Sequence, residues 1–388
     1  MSEYLHINHG NEQEEEALLE LLNRSFGFET EKEQFLGLLP KLYKPGKGAG
    51  RNNVILDVDG EMRAAVGVYY NDLTVMGQKL TTAGIGNVCV SPDHRRKDYM
   101  KAVMSVAVDE IKQNNTDLSF LGGHRQRYNY FSYEIGGERY AFRMMKRNFW
   151  HKLGKCEMPD ADVRELTEAD AELLRQIAAA NDANPCHFTR PADEMLDILR
   201  SWHSRAFAVS KDGALLGWFV YNDNLTYLSE VGYTEEAYIE TILLAAMCTC
   251  ANDGVNVCVP RYDVPLWNYL GVYGENFEIT ASEHFSILNY EPVIRAYLNL
   301  KASYEKLPDG ECVIYFEGIK LPEQLRIRVK NNEVSVEEDF SVRPDLVLTH
   351  LEAVRLVSSP FSEKRSELAG ACAAWFPLPI YVSGPDAV

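Results

Sequence analysis

The sequence has no uninterrupted apolar run near the roughly 20 residues that a membrane span needs, no Cys-x-x-Cys pair, and no HxxxH or HxH spacing among its nine histidines. Those absences argue against a membrane-embedded chain, a zinc ribbon and a helical metal site, so no metal is expected. The stretch Met1 to Glu20 is acidic and lacks the basic and apolar regions of a secretion signal, so a cytoplasmic protein is expected. The eight cysteines sit mostly among apolar neighbours, where a thiol acts as a small hydrophobe, and this fits a reducing compartment. Positive charge is scarce as well: 39 Lys and Arg against 57 Asp and Glu leave a net charge of -18. That field repels phosphate backbones and anionic membranes, so neither nucleic acid nor membrane is an expected partner. It favours cationic ligands, although a surplus of acid also serves solubility alone.

What is present is a globular balance of 46% hydrophobic and 25% charged residues over 388 positions, enough for two or three domains. Residues 12 to 26 read as an amphipathic helix with Leu18, Leu19, Leu21, Leu22 and Phe26 on one side, and a second helix is expected near Glu31 to Leu42. Strand-like runs follow at Val54 to Val58, Met62 to Tyr70 and Leu80 to Val90, the first two joined by the turn pair Asp59-Gly60. After Pro92 the period changes: Met100, Val103, Met104, Ala107, Val108 and Ile111 recur at helical spacing. A strand at Leu118 to Leu121, an aromatic segment Tyr128 to Tyr133 and a strand at Tyr140 to Met145 complete an α/β layout. From Glu168 the pattern repeats, with helices near 168–180 and 236–252 and strands between and after them, the last at His284 to Leu288. From about Glu291 a helix and alternating strands suggest an α+β module of about 100 residues. The expected domains are 1–152, 153–290 and 291–388.

The most informative stretch is Val88-Cys89-Val90-Ser91-Pro92-Asp93-His94-Arg95-Arg96-Lys97-Asp98-Tyr99-Met100-Lys101, a strand delivered through a basic turn into a helix. Three cations at the positive end of a helix dipole cost a few tenths of a kcal/mol each, and an anion on the free first-turn amides relieves that cost. A phosphate suits the place; an exposed charged turn pointing into water is the plainer alternative.

This stretch resembles the acyl-CoA-binding turn of the GNAT superfamily of N-acetyltransferases, whose pattern of Arg or Gln, two residues, Gly, one residue, Gly or Ala wraps a pyrophosphate; Arg95 falls on its first position. The chain as a whole resembles the enhanced intracellular survival protein family. That family has two tandem GNAT-like mixed-sheet domains, the second here degenerate because it has no basic turn, and a sterol-carrier-protein-like C-terminal domain. The resemblance implies that Val88, Cys89 and Val90 form a splayed strand along pantetheine and acetyl group, and that Arg95, Arg96, Lys97, Asp98, Tyr99, Met100 and Lys101 carry the phosphates. Gly123 and His124 would flank the thioester. Tyr128, in Tyr128-Asn129-Tyr130-Phe131-Ser132-Tyr133, matches the family's proton donor, and the C-terminal carboxylate at Val388 would be the base, with Asp386 as a nearby alternative. The implied reaction is acetyl transfer from acetyl-CoA to a primary amine, a cationic small molecule such as an aminoglycoside-like polyamine, in a homo-oligomer, hexamers among them.

Three positions depart from the pattern. Asp98 stands where the first turn glycine belongs, Met100 where the later Gly or Ala belongs, and Ser132 replaces a glycine. Two unit charges about 4 Å apart at an effective dielectric near 20 repel by roughly 4 kcal/mol, about a thousandfold in affinity. Asp98 is also a natural helix N-cap whose carboxylate would occupy the amides a phosphate needs. On that reading the chain is an impaired GNAT-fold protein that binds another ligand, such as a lipid.

Overall fold

A computed structural model of the chain describes residues 5–28 and 34–388, which fall into two compact units. The first takes Met1–Gly137, Glu283–Ile380 and Ala387–Val388; the second takes Glu138–Ser282 and Tyr381–Asp386.

The first unit opens with strand β1 (Leu5–His9) and helix α1 (Glu15–Phe26). An Asn11–Glu14 capping box starts the helical segment and left-handed Gly27 ends it. The single helix expected near Glu31 to Leu42 lies partly outside the described residues; the rest is two short helices, α2 (Phe35–Leu38) and α3 (Pro40–Tyr43). Pro40 is the reason: its ring excludes Leu39 from helical geometry, and Leu39 sits at φ -131°, ψ 67°. An antiparallel meander follows, β2 (Asn53–Val58), β3 (Glu61–Val75) and β4 (Gln78–Val90). Helix α4 (Tyr99–Gln113) returns the chain to β5 (Leu118–Leu121), parallel to β4, and α5 (Arg125–Tyr128) leads to β6 (Glu134–Gly136). α4 buries Val103, Met104, Ala107, Val108 and Ile111, the stripe its period requires.

The second unit holds β7 (Arg139–Met145), α6 (Lys146–Leu153), β8 (Asp162–Glu165), α7 (Ala171–Asp182), β9 (Cys186–Phe188) and α8 (Met195–Arg200). After them come β10 (Arg205–Lys211), β11 (Ala214–Tyr221), β12 (Tyr227–Tyr233), α9 (Ile239–Thr249), β13 (Gly254–Pro260), α10 (Val264–Tyr273) and β14 (Gly274–Thr280). Its sheet runs β14-β7-β13-β12-β11-β10-β8. Meander, helix and parallel strand recur here, and β12 pairs with β13 only at Tyr227↔Asn256 and Leu228↔Val257. The turn before α9 carries Glu235 and Glu236 where the first unit has Arg95 to Lys97, which makes it repel a phosphate.

The chain then re-enters the first unit through β15 (Glu283–Ile287), giving the order β1-β2-β3-β4-β5-β15-β6. The remainder is α11 (Tyr290–Tyr304), a sheet ordered β18-β17-β16-β19 from β16 (Gly310–Phe316), β17 (Glu323–Lys330), β18 (Glu333–Glu338) and β19 (Leu346–Leu348), and α12 (His350–Ser358). Two strands thus change places relative to the sequence reading. Tyr140 to Met145 belongs to the second sheet and His284 to Ile287 to the first.

Candidate functional site

The first sheet opens at its centre. β4 and β5 pair from Thr82↔Leu118 to Ile85↔Leu121, where β5 stops while β4 continues to Val90. A bulge bends β4 at that point: its register against β3 steps from Gly67↔Gly86 to Ala65↔Cys89, and Asn87 adopts φ 44°. β3 still pairs with β4 here, at Ala65↔Cys89 and Ala64↔Val90, but β5 offers no partner on the other side, so the backbone groups of Val88 to Val90 that face away from β3 are left to a ligand or water.

Side chains alternate across this open edge. Val88 and Val90 join the cluster that packs α4 with Leu121 and Tyr128, whereas Cys89 turns to the opposite face with Tyr69, α1 and Val388. Burial pushes the Cys89 thiol up to about 12, which leaves it a packing group with no nucleophilic thiolate at neutral pH.

The basic turn follows Pro92–His94. Arg95, Arg96, Lys97 and Asp98 are all exposed, Tyr99 is buried and Met100 half-buried. Arg95 donates to the Ser25 carbonyl (3.4 Å), Lys97 lies 5.7 Å from the Tyr99 ring and Lys101 lies 5.3 Å from the Tyr130 ring. Asp98 corrects one expectation. It occupies the N-cap of α4, but at φ 58°, ψ 13° its side chain caps nothing. An N-cap that reaches its amides has extended backbone; a left-handed one turns its carboxylate away. The conformation also explains the residue, because Asp is among the few non-glycine types that tolerate this region. The carboxylate instead faces Lys101 at 3.4 Å and is 80% exposed.

Solvent at that exposure brings the repulsion of a second charge about 4 Å away down to about 1 kcal/mol. Asp98→Gly is therefore expected to raise coenzyme affinity about fivefold by titration calorimetry. A thousandfold gain, or none, would contradict this account of the turn.

Beyond β5, Gly123 at φ 148° allows the chain to pass over Tyr128; a Cβ there would lie 2.4 Å from that ring. His124 is exposed at the start of α5. Tyr128 is 5% exposed, and burial raises its pKa above 10 with Arg127 opposing, so the hydroxyl keeps its proton at neutral pH. Ser132 holds the left-handed turn, φ 70°, that glycine fills in the pattern it resembles. His350 of α12 donates to the Ser132 carbonyl (3.0 Å) and accepts from the Tyr290 hydroxyl (3.0 Å), bracing the turn. Glu134 secures α5 itself, accepting from Arg125 Nη2 (2.8 Å) and Arg355 Nη2 (2.6 Å). Burial pushes this carboxyl up, but both guanidiniums and the Ile135 amide outweigh it, leaving the pKa at about 2.

On the other face, Val388 rests on β4. A Cβ on Gly84 would lie 2.5 Å from Val388 Cγ2, and one on Gly86 would lie 3.1 Å from the Val388 carboxyl carbon. Lys41 donates to the Ala387 carbonyl (2.7 Å), fixing the approach. Asp386 is no base: Arg190 takes both its oxygens, at 2.9 and 2.7 Å, within the second unit. The resemblance named Val388 but not its seat on β4, which glycines alternating in an apolar strand, Gly84-Ile85-Gly86, could have signalled as a close backbone approach. Among the described residues, no group of three or more His, Cys, Asp or Glu is disposed to hold a metal, and no helix is long and apolar enough to cross a membrane.

Residues 6–136 match the profile of an acetyltransferase (GNAT) domain. No curated protein matches the sequence. Among solved structures, a GCN5-related N-acetyltransferase from Kribbella flavida is similar over 100% of this chain and 99% of its own, at 16% identity and a TM-score of 0.70. A GCN5-related N-acetyltransferase from Anabaena variabilis is similar over 99% and 98%, at 13% identity and a TM-score of 0.65. Eis1 from Mycobacterium abscessus is similar over 90% and 88%, at 15% identity and a TM-score of 0.57. At those identities the likeness is one of fold. The opened pair β4/β5, the turn before α4 and Tyr128 all lie in the matched segment, and residues 6–136 therefore carry an acetyltransferase domain of the GNAT type.

Proposed function

We propose that the protein is an acetyl-CoA-dependent N-acetyltransferase acting on the primary amine of a cationic small molecule. One observation carries the reading: at the gap between β4 and β5, Tyr128 packs on one face of the sheet and Val388 on the other. An acyl carbon held in that gap has a hydroxyl near one face and a carboxylate near the other, so separate groups can serve the thiolate that leaves the tetrahedral intermediate and the amine that forms it.

Bound acetyl-CoA supplies the activated acyl group. Arg95, Arg96, Lys97 and Lys101, with the α4 amides that Asp98 leaves uncapped, hold its phosphates. Backbone amides around Cys89 and Val90 that face away from β3 polarise the carbonyl, Tyr128 protonates the sulfur, and the Val388 carboxylate takes the proton of the amine. Gly123 and His124 border the thioester. The charge of -18 supports a cationic acceptor, and Phe26, half-exposed beside Phe28 and Phe35, offers a ring to a cation. The same proposal takes a degenerate second GNAT-like domain within Glu138–Ser282, a sterol-carrier-like third and a symmetric homo-oligomer.

The decisive experiment incubates the protein with acetyl-CoA and a panel of amines and follows free thiol. Amine-dependent thiol release supports the reading; none with any amine, together with no coenzyme binding by calorimetry, overturns it. The base has its own test. Extending the chain by one glycine after Val388 moves the carboxylate by a residue and is expected to lower kcat about a hundredfold, within the range of positioned acid–base groups, while coenzyme affinity holds. Unchanged kcat in that variant removes Val388 from the mechanism.

A further inference from the structure

β14 ends the sheet of the second unit: among the described residues it pairs with β7 on one side and with no strand on the other. Every residue from Glu275 to Thr280 is exposed, with Phe277 at 59% and Ile279 at 50%. Such an edge is a template for another strand, and proteins shorten, charge or cover it. The other described strands that end sheets follow that practice. β1, β6, β8 and β19 run three to five residues, and β18 carries Glu333, Glu337 and Glu338 among its six. β14 has seven residues, and its bulge falls at Glu275, leaving Asn276 to Thr280 regular.

The ground around this edge is not acidic, although the chain carries a charge of -18. α10, which leads into β14, has no charged residue in ten positions and exposes Val272 at 54%. β7 and α6 carry Arg139, Arg143, Lys146, Arg147 and Lys152 and no acid, and Arg147 pairs with Glu275 at 2.9 Å. The Phe277 ring lies 5.8 Å from that of Phe142, which lies 6.0 Å from Trp267 of α10, so Phe277 and Ile279 stand on the α10 face. Asn276, Glu278 and Thr280 stand on the opposite face, where Arg143 and Arg139 are their neighbours on β7.

We propose that two copies of this chain join through β14, antiparallel and edge to edge, about a twofold axis at Phe277. This rests on the homo-oligomer proposed above and gives it a surface; it is independent of the chemistry at Tyr128 and Val388. A twofold pair of antiparallel strands is centred on a residue, because directly opposite side chains share a face. Centring on Phe277 overlaps all seven residues and sets the two Phe277 rings together. Glu278 then lies opposite the copy's Asn276, and the next strand over presents the copy's Arg143 on the same face, within reach of two long side chains. A centre one residue on, at Glu278, would set two carboxylates face to face, which destabilises the pair. Within the chain the Arg143 guanidinium makes a long 3.4 Å bond to Asn256 Oδ1, which a carboxylate readily displaces. Acid and base of each ion pair both come from this one surface, which makes a second copy the matching partner.

The test measures mass against concentration by analytical ultracentrifugation for the full chain, Phe277→Lys, Glu278→Arg, and Glu278→Arg combined with Arg143→Glu. Both single variants change exposed side chains, so their melting temperatures are expected to hold. Association is expected to weaken about thirtyfold or more in each, as on loss of a central aromatic or of a paired charge, and the charge-swapped double variant is expected to recover most of it. Amide exchange over Asn276 to Thr280 is expected to quicken when the wild type is diluted to monomer. If the single variants associate as strongly as the wild type, the oligomer stands and this surface is overturned. A wild type that stays monomeric at about 100 μM removes oligomer and surface together. Weakening in the single variants with no recovery in the double variant overturns the register at Phe277 and the twofold pairing with it. A monomeric wild type that binds a different protein, and loses it in Phe277→Lys, gives the edge a foreign partner and overturns self-pairing.

Discussion

Tyr128→Phe is expected to lower amine-dependent thiol release by about a hundredfold while leaving coenzyme affinity nearly unchanged. General acids contribute about 10²–10⁴-fold. The lower end applies because a thiol ionises near pH 8.5, so a thiolate departs tolerably well even unprotonated. The substitution is conservative in packing: Tyr128 sits in the cluster with Leu121, Phe131 and Tyr133, and the ring that forces Gly123 to be glycine remains. Loss of rate with retained coenzyme binding and melting temperature marks a group that acts in the transition state. Slowing should be greatest with thioesters whose thiols are least acidic, since those leaving groups depend most on the proton. Equal slowing across a series of acyl thioesters of different thiol acidity would show that Tyr128 supports the fold of α5 and does not donate a proton.

The parts of this site legible in the sequence are those written in local pattern. The change from period two to period 3.6 across Pro92 located β4, the turn and α4 to within a residue or two, and the aromatic spacing marked Tyr128. The exchange of β7 and β15 between sheets was not legible. Tyr140 to Met145 and His284 to Ile287 are short, mostly buried runs that satisfy either sheet equally, and periodicity carries no record of which partner a strand will choose. His284 was hidden for the same reason. It reaches Tyr128 only because β15 crosses back to lie beside β5, a contact spanning more than 150 residues.

Asp98 shows a different limit. Residue type alone suggested a capping carboxylate, and capping depends on the φ and ψ of the cap position, which in this turn is left-handed. The second unit could be read for what it lacks, a basic turn, but not for how closely it repeats the first. Its parallel pair β12/β13 separates after two residue pairs, and Glu235 and Glu236 then fill the entrance to α9. The geometry that opens a strand edge is therefore kept where the charge that would hold a phosphate is reversed.

The largest stability effect is expected at Arg190. Its guanidinium is 3% exposed and donates to Glu230 Oε1 and Oε2 (2.9 and 2.7 Å), to Asp386 Oδ1 and Oδ2 (2.9 and 2.7 Å) and to Ser383 Oγ (2.9 Å), while Trp218 Nε1 also donates to Glu230 Oε1 (2.8 Å). Burial disfavours this charge, yet Asp386 and Glu230 outweigh burial and hold the Arg190 pKa well above the usual guanidinium value. Arg190→Met removes the cation and leaves two desolvated carboxylates, a loss of about 3–5 kcal/mol. For a unit of this size that is a fall of roughly 10 °C in melting temperature. Arg190→Met combined with Glu230→Gln and Asp386→Asn removes the stranded charge, so most of the loss should be recovered although more hydrogen bonds are gone. Acidity separates the two explanations further. A buried carboxylate without its cation has a raised folded-state pKa, so the single variant's deficit should shrink as pH falls toward 4 and grow again as pH rises. A deficit that is the same at pH 4 and pH 8, or a triple variant no more stable than the single, would mean that shape and packing around Arg190 matter more than its charge.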